Sequence, residues 1–332
     1  MSALNNVIDV SKRFLTSRYK CESIADDELN VIPIKGYLTT NVYKLSLLKD
    51  GTSDNYYIKE SSDLNNIRYN KYIEEEYNNT KYIDDNFSSN TEISVVTPLK
   101  YFDDDKMFFM KEIKGQRLDN IFIRLIFFRN KTKLIFITEL CKKWLNEFHK
   151  IKPASVLNSE VLNFHDSEYK KIKLIHDRSL DNCAPSEVED INKFYSKLYD
   201  LSNEISLADT DITLKHNDFA PWNVLFHEGG ITVYDFADIQ IDYKYYDLIY
   251  FVHSINKLSA KVPFNTAMFD FLQEKMLEGT GISENTKSYY LMYFYLQDIE
   301  LLLRKIKVGG IKSYVYRFKY MAIKNKLAKY LY

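Results

Sequence analysis

The spacing of apolar positions changes character near Gly115. Before it, short runs alternate apolar and polar residues. Asn41 to Leu48 (NVYKLSLL) alternates, Lys49-Asp50-Gly51 supplies a turn, and Tyr56-Tyr57-Ile58-Lys59 resumes the pattern. That predicts a hairpin with a lysine near the end of its second strand. From about Asn66 to Ile83 the period becomes helical, and Tyr69, Tyr72, Ile73, Glu76, Thr80 and Ile83 share one face. Glu76 is the odd residue there. Two further strands are predicted over Ile93 to Val96 and Met107 to Ile113, separated by the acidic turn Asp103-Asp104-Asp105.

After Gly115 helical patterns dominate: roughly Leu118 to Phe128, Lys133 to Lys150, Val188 to Ser206 and most of Ser283 to Leu331. One β-like island interrupts them between Leu214 and Phe236. Asn158 to Ser186, rich in Asn, Asp and Ser, reads as a long surface connection. The pattern therefore predicts an α+β chain of two lobes. Residues 1–113 form a small, mainly antiparallel sheet with one helix, and residues 114–332 form a large, mainly helical lobe. The hinge falls at about 110–115.

Composition narrows the function classes. With 332 residues, 45 % apolar and 27 % charged, the chain is globular rather than disordered. A net charge of −1 provides no global field to recruit nucleic acid. Cys21, Cys141 and Cys183 are odd in number and widely spaced, which predicts neither a disulfide framework nor a zinc site and fits a reducing cytoplasm. Met1 to Val10 lacks the apolar core of a signal peptide. The densest apolar stretch, Ile121 to Phe128, is short and broken by Arg124, so no bilayer span is expected.

Chemistry concentrates in the island, LKHNDFAPWNVLFHEGGITVYDFADIQIDYKYYD (Leu214 to Asp247). Val224-Leu225-Phe226 and Ile231-Thr232-Val233 flank the turn His227-Glu228-Gly229-Gly230, a strong hairpin signal. Antiparallel pairing brings Asn223 and Asp235 to the open end of that hairpin, and Asp218 lies on the loop leading in. An amide and carboxylates of this kind suit Mg²⁺, which takes a few protein oxygens and lets phosphates and water complete its shell. In phosphoryl transfer, Asn223 and Asp235 would hold the metal and Asp218 would accept the proton of an attacking hydroxyl. The spacing H-x-D-x-x-x-x-N followed by D-F is that of a kinase catalytic loop and metal loop. The bland alternative is a surface hairpin with solvated turn residues. Lys59 on the strand and Glu76 on the helix tilt the balance, because a kinase orients its phosphate-holding lysine with a helix glutamate. Glu75 is the other candidate for that partner.

These residues resemble the aminoglycoside phosphotransferase and choline kinase superfamily of small-molecule kinases, whose fold is like that of protein kinases. The resemblance runs from about Val31 to Phe251. It is carried by KGYLTTNVYKL (Lys35 to Leu45), YIK (Tyr57 to Lys59), MKEIKG (Met110 to Gly115), WLNEFHKIKP (Trp144 to Pro153), HNDFAPWNVL, and VYDF through YYDL. It implies ATP as phosphate donor, with GTP as the alternative, and Mg²⁺. It implies nucleotide contacts at Gly36, Thr40, Lys59 and Glu76, and adenine against the backbone near Lys111 and Ile113. It implies that His216 packs under the metal loop and that Asp247, twelve residues after Asp235, buttresses the catalytic loop. Three positions depart from the family pattern: Asn217 stands where glycine is frequent, as in choline and ethanolamine kinases; the phosphate loop has only Gly36; and Ala237 replaces the usual third residue of the metal loop.

The acceptor is then a small-molecule hydroxyl: a sugar or polyol, an amino alcohol such as choline or ethanolamine, or an aminoglycoside. Trp222, Tyr243, Tyr245 and Tyr246 either pack or cage a quaternary ammonium. Residues 301–332 carry nine basic and no acidic side chains. That tail reads as a solvated helix face, with an anionic acceptor or a membrane surface as the functional alternative. The rival to an enzyme is a kinase-shaped, catalytically inactive nucleotide-binding or scaffold protein. Loss of a metal ligand or of the base would favour it, and neither is lost.

Overall fold

The computed structural model describes residues 3–49, 52–153, 164–205, 211–262, 265–310 and 312–331. They form two compact units. One comprises Met1–Ile121 with Trp222–Ile239, the other Phe122–Pro221 with Gln240–Tyr332.

The first unit starts with helix α1 (Ala3–Tyr19) and strands β1 (Leu29–Gly36), β2 (Thr40–Lys49) and β3 (Thr52–Ser61). Helix α2 (Ile67–Asn86), β4 (Ile93–Val95), β5 (Pro98–Phe102), β6 (Met107–Lys111) and β7 (Gln116–Arg117) follow. The predicted β2–β3 hairpin forms with Val42 opposite Lys59; its turn at Asp50-Gly51 lies outside the described residues. A five-stranded antiparallel sheet results, in the order β1-β2-β3-β6-β5. The strand period of two turns Tyr43, Leu45 and Leu47 inward, where they join Val7, Val10, Phe14 and Leu15 in one core. Those last residues belong to α1, a second helix beside the single one expected. Its signal was present, since Val7, Val10 and Phe14 repeat at i, i+3, i+7.

A further difference concerns β4. It pairs not within the antiparallel sheet but in parallel with β10 (Gly230–Val233), which pairs with β9 (Val224–His227). The island hairpin thus joins the first unit across a long gap in sequence. Close packing fixes this: a Cβ on Gly230 would lie 2.5 Å from the Glu92 carbonyl.

The second unit contains most of α3 (Leu118–Phe127), then α4 (Lys131–Phe148), α5 (Phe164–Asn182) and α6 (Val188–Asn203). β8 (Ile212–Lys215) and β11 (Gln240–Tyr243) form a two-stranded ladder. Helices α7 (Tyr245–Ser259), α8 (Thr266–Leu277), α9 (Glu284–Val308) and α10 (Lys312–Leu327) complete it. Most of the connection expected over Asn158 to Ser186 is instead helix α5. Its polar composition hides a buried side: Ile172, Ser179 and Glu168 are interior, and Glu168 accepts a hydrogen bond from the buried Tyr289 of α9.

Candidate active site

In the first unit the β9–β10 register ends with Val224 opposite Val233. Asn223 and Tyr234 lie just beyond, and the Tyr234 N–H donates to the Asn223 carbonyl at 3.1 Å. Asp235 follows with φ of +73°, a left-handed conformation that aspartate tolerates better than most residues. Asn79 of α2 secures the next two residues, donating to the carbonyls of Phe236 at 3.1 Å and Ala237 at 3.3 Å.

Lys59 sits between two acids. Its Nζ pairs with Glu76 Oε1 and lies 2.8 Å from Asp235 Oδ1. The Glu76 side chain is only 2 % exposed, whereas that of Asp235 is 36 % exposed. Burial alone would lower the Lys59 pKa, but the charges of Asp235 and then Glu76 overturn that and hold it above the usual lysine value. Glu76 is pushed up to about 7, chiefly by burial; Lys59 opposes the shift and Asp235 adds to it. Two carboxylates share one ammonium, and the more buried acid fares worse. Glu75, the other candidate, is half-exposed and pairs with Lys71 at 3.2 Å. The Glu76 partnership follows from the helix face.

The other residues expected at the nucleotide lie in the same unit. Gly36 is exposed at the end of β1, and Thr40 is buried at the start of β2. The Tyr37 N–H donates to the Thr40 carbonyl at 2.7 Å and closes the loop between them. Lys111 ends β6 with its side chain exposed, and Ile113 is half-buried two residues on.

In the second unit, Asp247 on α7 is 1 % exposed and accepts from two backbone donors, the N–H groups of His216 at 2.7 Å and Asn217 at 3.0 Å. Burial raises its pKa, against the opposing effect of His216 and the two backbone donors. Asn217 has φ of +68°, which this pair of hydrogen bonds holds in place. His216 is fully buried, its ring 6.2 Å from Trp144 and Phe219 and 6.4 Å from Phe148. Asp218 accepts from the Tyr250 hydroxyl at 2.9 Å.

Two positioning residues escaped sequence reading. Asn79 stands three residues after Glu76 and Tyr250 three after Asp247, each one turn along a helix from a recognised acid. Helical spacing was the available signal. Asn223 and Asp235 offer an amide and a carboxylate oxygen at one hairpin end. With Asn223 buried and Asp235 partly exposed, that donor set fits a hard divalent cation whose shell is completed by phosphate and water.

Comparison with known proteins bears on the family resemblance and the fold. Residues 145–264, which contain HNDFAPWN, VYDF and Asp247, match the family model described as the phosphotransferase enzyme family, APH. No curated protein matches the chain. Among solved structures it is similar to the ADP-bound aminoglycoside phosphotransferase APH(2'')-Ib, with 15 % identity, 96 % of each chain covered and a TM-score of 0.61. It is also similar to the choline kinase LicA from Streptococcus pneumoniae, with 13 % identity, 99 % of this chain and 100 % of that one covered, and a TM-score of 0.57. A third similar structure is amicoumacin kinase hAmiN in complex with AMP-PNP, Ca²⁺ and Ami, with 12 % identity, 92 % and 89 % covered, and a TM-score of 0.55. The resemblance read in the sequence is borne out, by the family model over residues 145–264 and by a shared fold over 92–99 % of the chain.

Proposed function

We propose that this chain, with its small-molecule phosphotransferase fold, moves the γ-phosphate of ATP to a hydroxyl of a sugar or polyol, with GTP as the alternative donor. The observation that carries the reading is the Lys59–Glu76–Asp235 cluster, reached from three separate segments, in a chain whose Asp218 and Asn223 keep kinase spacing. Lys59 would hold the α- and β-phosphates, with Gly36 and Thr40 in the loop covering them and the backbone near Lys111 and Ile113 meeting adenine. Asn223 and Asp235 would hold Mg²⁺, which when bound neutralises charge on the phosphates. Asp218 would orient the acceptor hydroxyl and take its proton, and the Tyr250 hydroxyl would fix which oxygen faces the acceptor.

Tyr250 also lines a cavity of about 320 Å³ in the second unit, with Arg178, His253, Lys257, Asp298 and Arg304. The carboxylates there are already engaged: Asp298 lies 2.9 Å from both His253 and Lys257, and Glu300 2.8 Å from Arg304. A polycationic aminoglycoside would meet more cation than free acid. A quaternary ammonium is disfavoured too, because Lys215 lies 3.8 Å over the Tyr246 ring and Lys244 5.0 Å over Tyr245. A neutral or acidic polyol suits the lining.

The test is calorimetric titration with MgATP, then ATP consumption across a panel of hydroxyl compounds. Asp218→Asn is expected to keep MgATP affinity and lose turnover by about a hundredfold or more, the contribution of a positioned base. Absence of MgATP binding in the wild type would favour the inactive-scaffold reading, and near-normal turnover in the variant would remove Asp218 from the chemistry.

A further inference from the structure

Helix α10 has two opposite faces. Tyr320 and Leu327 are buried, and on that side Lys326 lies 5.6 Å over the Tyr295 ring of α9, while Lys305 of α9 lies 5.6 Å over Tyr316. The other face is covered by nothing among the described residues. Tyr314, Val315, Phe318 and Met321 are 77, 54, 78 and 50 % exposed, and Val308, before the Gly309-Gly310 turn, is 89 % exposed. Positions i, i+1, i+4 and i+7 gather the four side chains into one stripe along the helix. Cations border it: Lys312 and Lys319 on one side, Arg317 and Lys324 on the other, Lys324 also reaching Asp190. From Leu301 to Tyr332 there are nine basic side chains and no acidic one.

Exposed side chains on a helix whose opposite face is already packed do nothing for the stability of this chain. A row of large apolar groups between two rows of cations matches the section of a lipid leaflet, hydrocarbon below and phosphate above, with lysine and arginine stems reaching up to the headgroups. We propose that α10 is an interfacial helix that seats this chain on an anionic phospholipid surface. No described helix is long and apolar enough to cross a membrane, so the contact is peripheral. A second copy laid on the stripe would bring like-charged rows together, which is unfavourable. A nucleic acid would satisfy the cations and leave Phe318 and Met321 in water. The inference does not depend on the phosphotransferase reading.

The test is co-sedimentation of the full chain with vesicles of phosphatidylglycerol and phosphatidylcholine, against pure phosphatidylcholine. Partition onto the anionic vesicles is expected to be at least about tenfold stronger and to weaken with added salt. Phe318→Asp with Met321→Asp, and separately Arg317→Glu with Lys319→Glu, are each expected to lower it about tenfold. All four side chains are exposed, so the thermal melt should not move. Equal binding to both vesicles would overturn the proposal, as would binding unchanged by the apolar substitutions. So would a dimer in analytical ultracentrifugation that those same substitutions dissolve.

Discussion

In the sheet-bearing unit Asp235 is positioned by charge: it shares the Lys59 ammonium with Glu76, at 2.8 Å and partly open to solvent. In the helical unit the loop carrying Asp218 is positioned by neutral donors, the two backbone N–H groups that Asp247 accepts in full burial. Each loop contains one residue in the left-handed region, Asp235 at φ +73° and Asn217 at φ +68°. The two strained turns are thus stabilised by different physics. Charge acts over several ångströms and tolerates displacement, which suits a carboxylate expected to meet a cation and phosphates. Short amide hydrogen bonds tolerate little displacement, which suits the fixed position that the role of base proposed for Asp218 requires.

The largest test of that contrast is Lys59→Met. It leaves Glu76 buried and uncompensated, a loss of roughly 3–5 kcal/mol for a broken buried pair. Adding Glu76→Leu removes the orphaned charge, so the double variant should be less unstable than the sum of the singles. Coupling above about 0.5 kcal/mol is expected for groups in contact. Thermal unfolding of the four proteins measures it; additive effects would mean that Asp235, not Glu76, carries the pairing.

On the amide-held side Asp247→Ala should lower stability by about 2 kcal/mol, from the buried His216 N–H and the part-buried Asn217 N–H left without this acceptor. The loss is smaller because burial already disfavours the Asp247 charge. Asp247→Asn, which keeps one acceptor and sheds the charge, should recover part of it. Turnover should fall in the alanine variant with MgATP affinity unchanged. A loss of MgATP binding instead would show that the loop also serves the nucleotide.

A smaller effect follows from pH. The Glu76 pKa is raised from 4.5 to about 7 on folding. An acid so raised contributes stability that is fully present below its unfolded value and lost as pH rises through the folded value. Compared with Glu76→Gln, which does not titrate, the wild type should therefore lose ground between about pH 5 and pH 8. Melting temperatures of both proteins across that window give the answer. A constant gap would mean Glu76 is ionised throughout.

Much of this was legible in the sequence because the signals were local. The β2–β3 hairpin, the α2 face and the β9–β10 turn each depend on residues within a few positions of one another. Glu76 was identifiable as the one acid on an apolar face, and Asn223 and Asp235 by hairpin pairing alone. What stayed hidden was non-local. The parallel pairing of β4 with β10 joins Ile93 to Ile231, and no spacing rule spans that separation. Helix α5 was masked by polar residues that turn out to be interior partners, Glu168 with Tyr289 and Lys171. Ring cages were unreadable for the same reason, since lysines distant in sequence decide which ring faces stay open.

The finest test compares a neutral tether on the charge-held side. Asn79 donates to the carbonyls of Phe236 and Ala237 at 3.1 and 3.3 Å, both bonds neutral and only partly buried. Bonds of that kind contribute about 0.5–1.5 kcal/mol net, because water replaces a lost partner where it can reach. Asn79→Ala should therefore lower the melting temperature by only about 2–4 °C per kcal/mol lost, for units of this size. If Lys59 is the main restraint on Asp235, MgATP affinity should change by less than about threefold, well below the effect of Lys59→Met. A stability loss as large as that of Asp247→Ala would show that the loop carrying Asp235, too, is held by amide hydrogen bonds, and the contrast between the two loops would collapse into one mechanism.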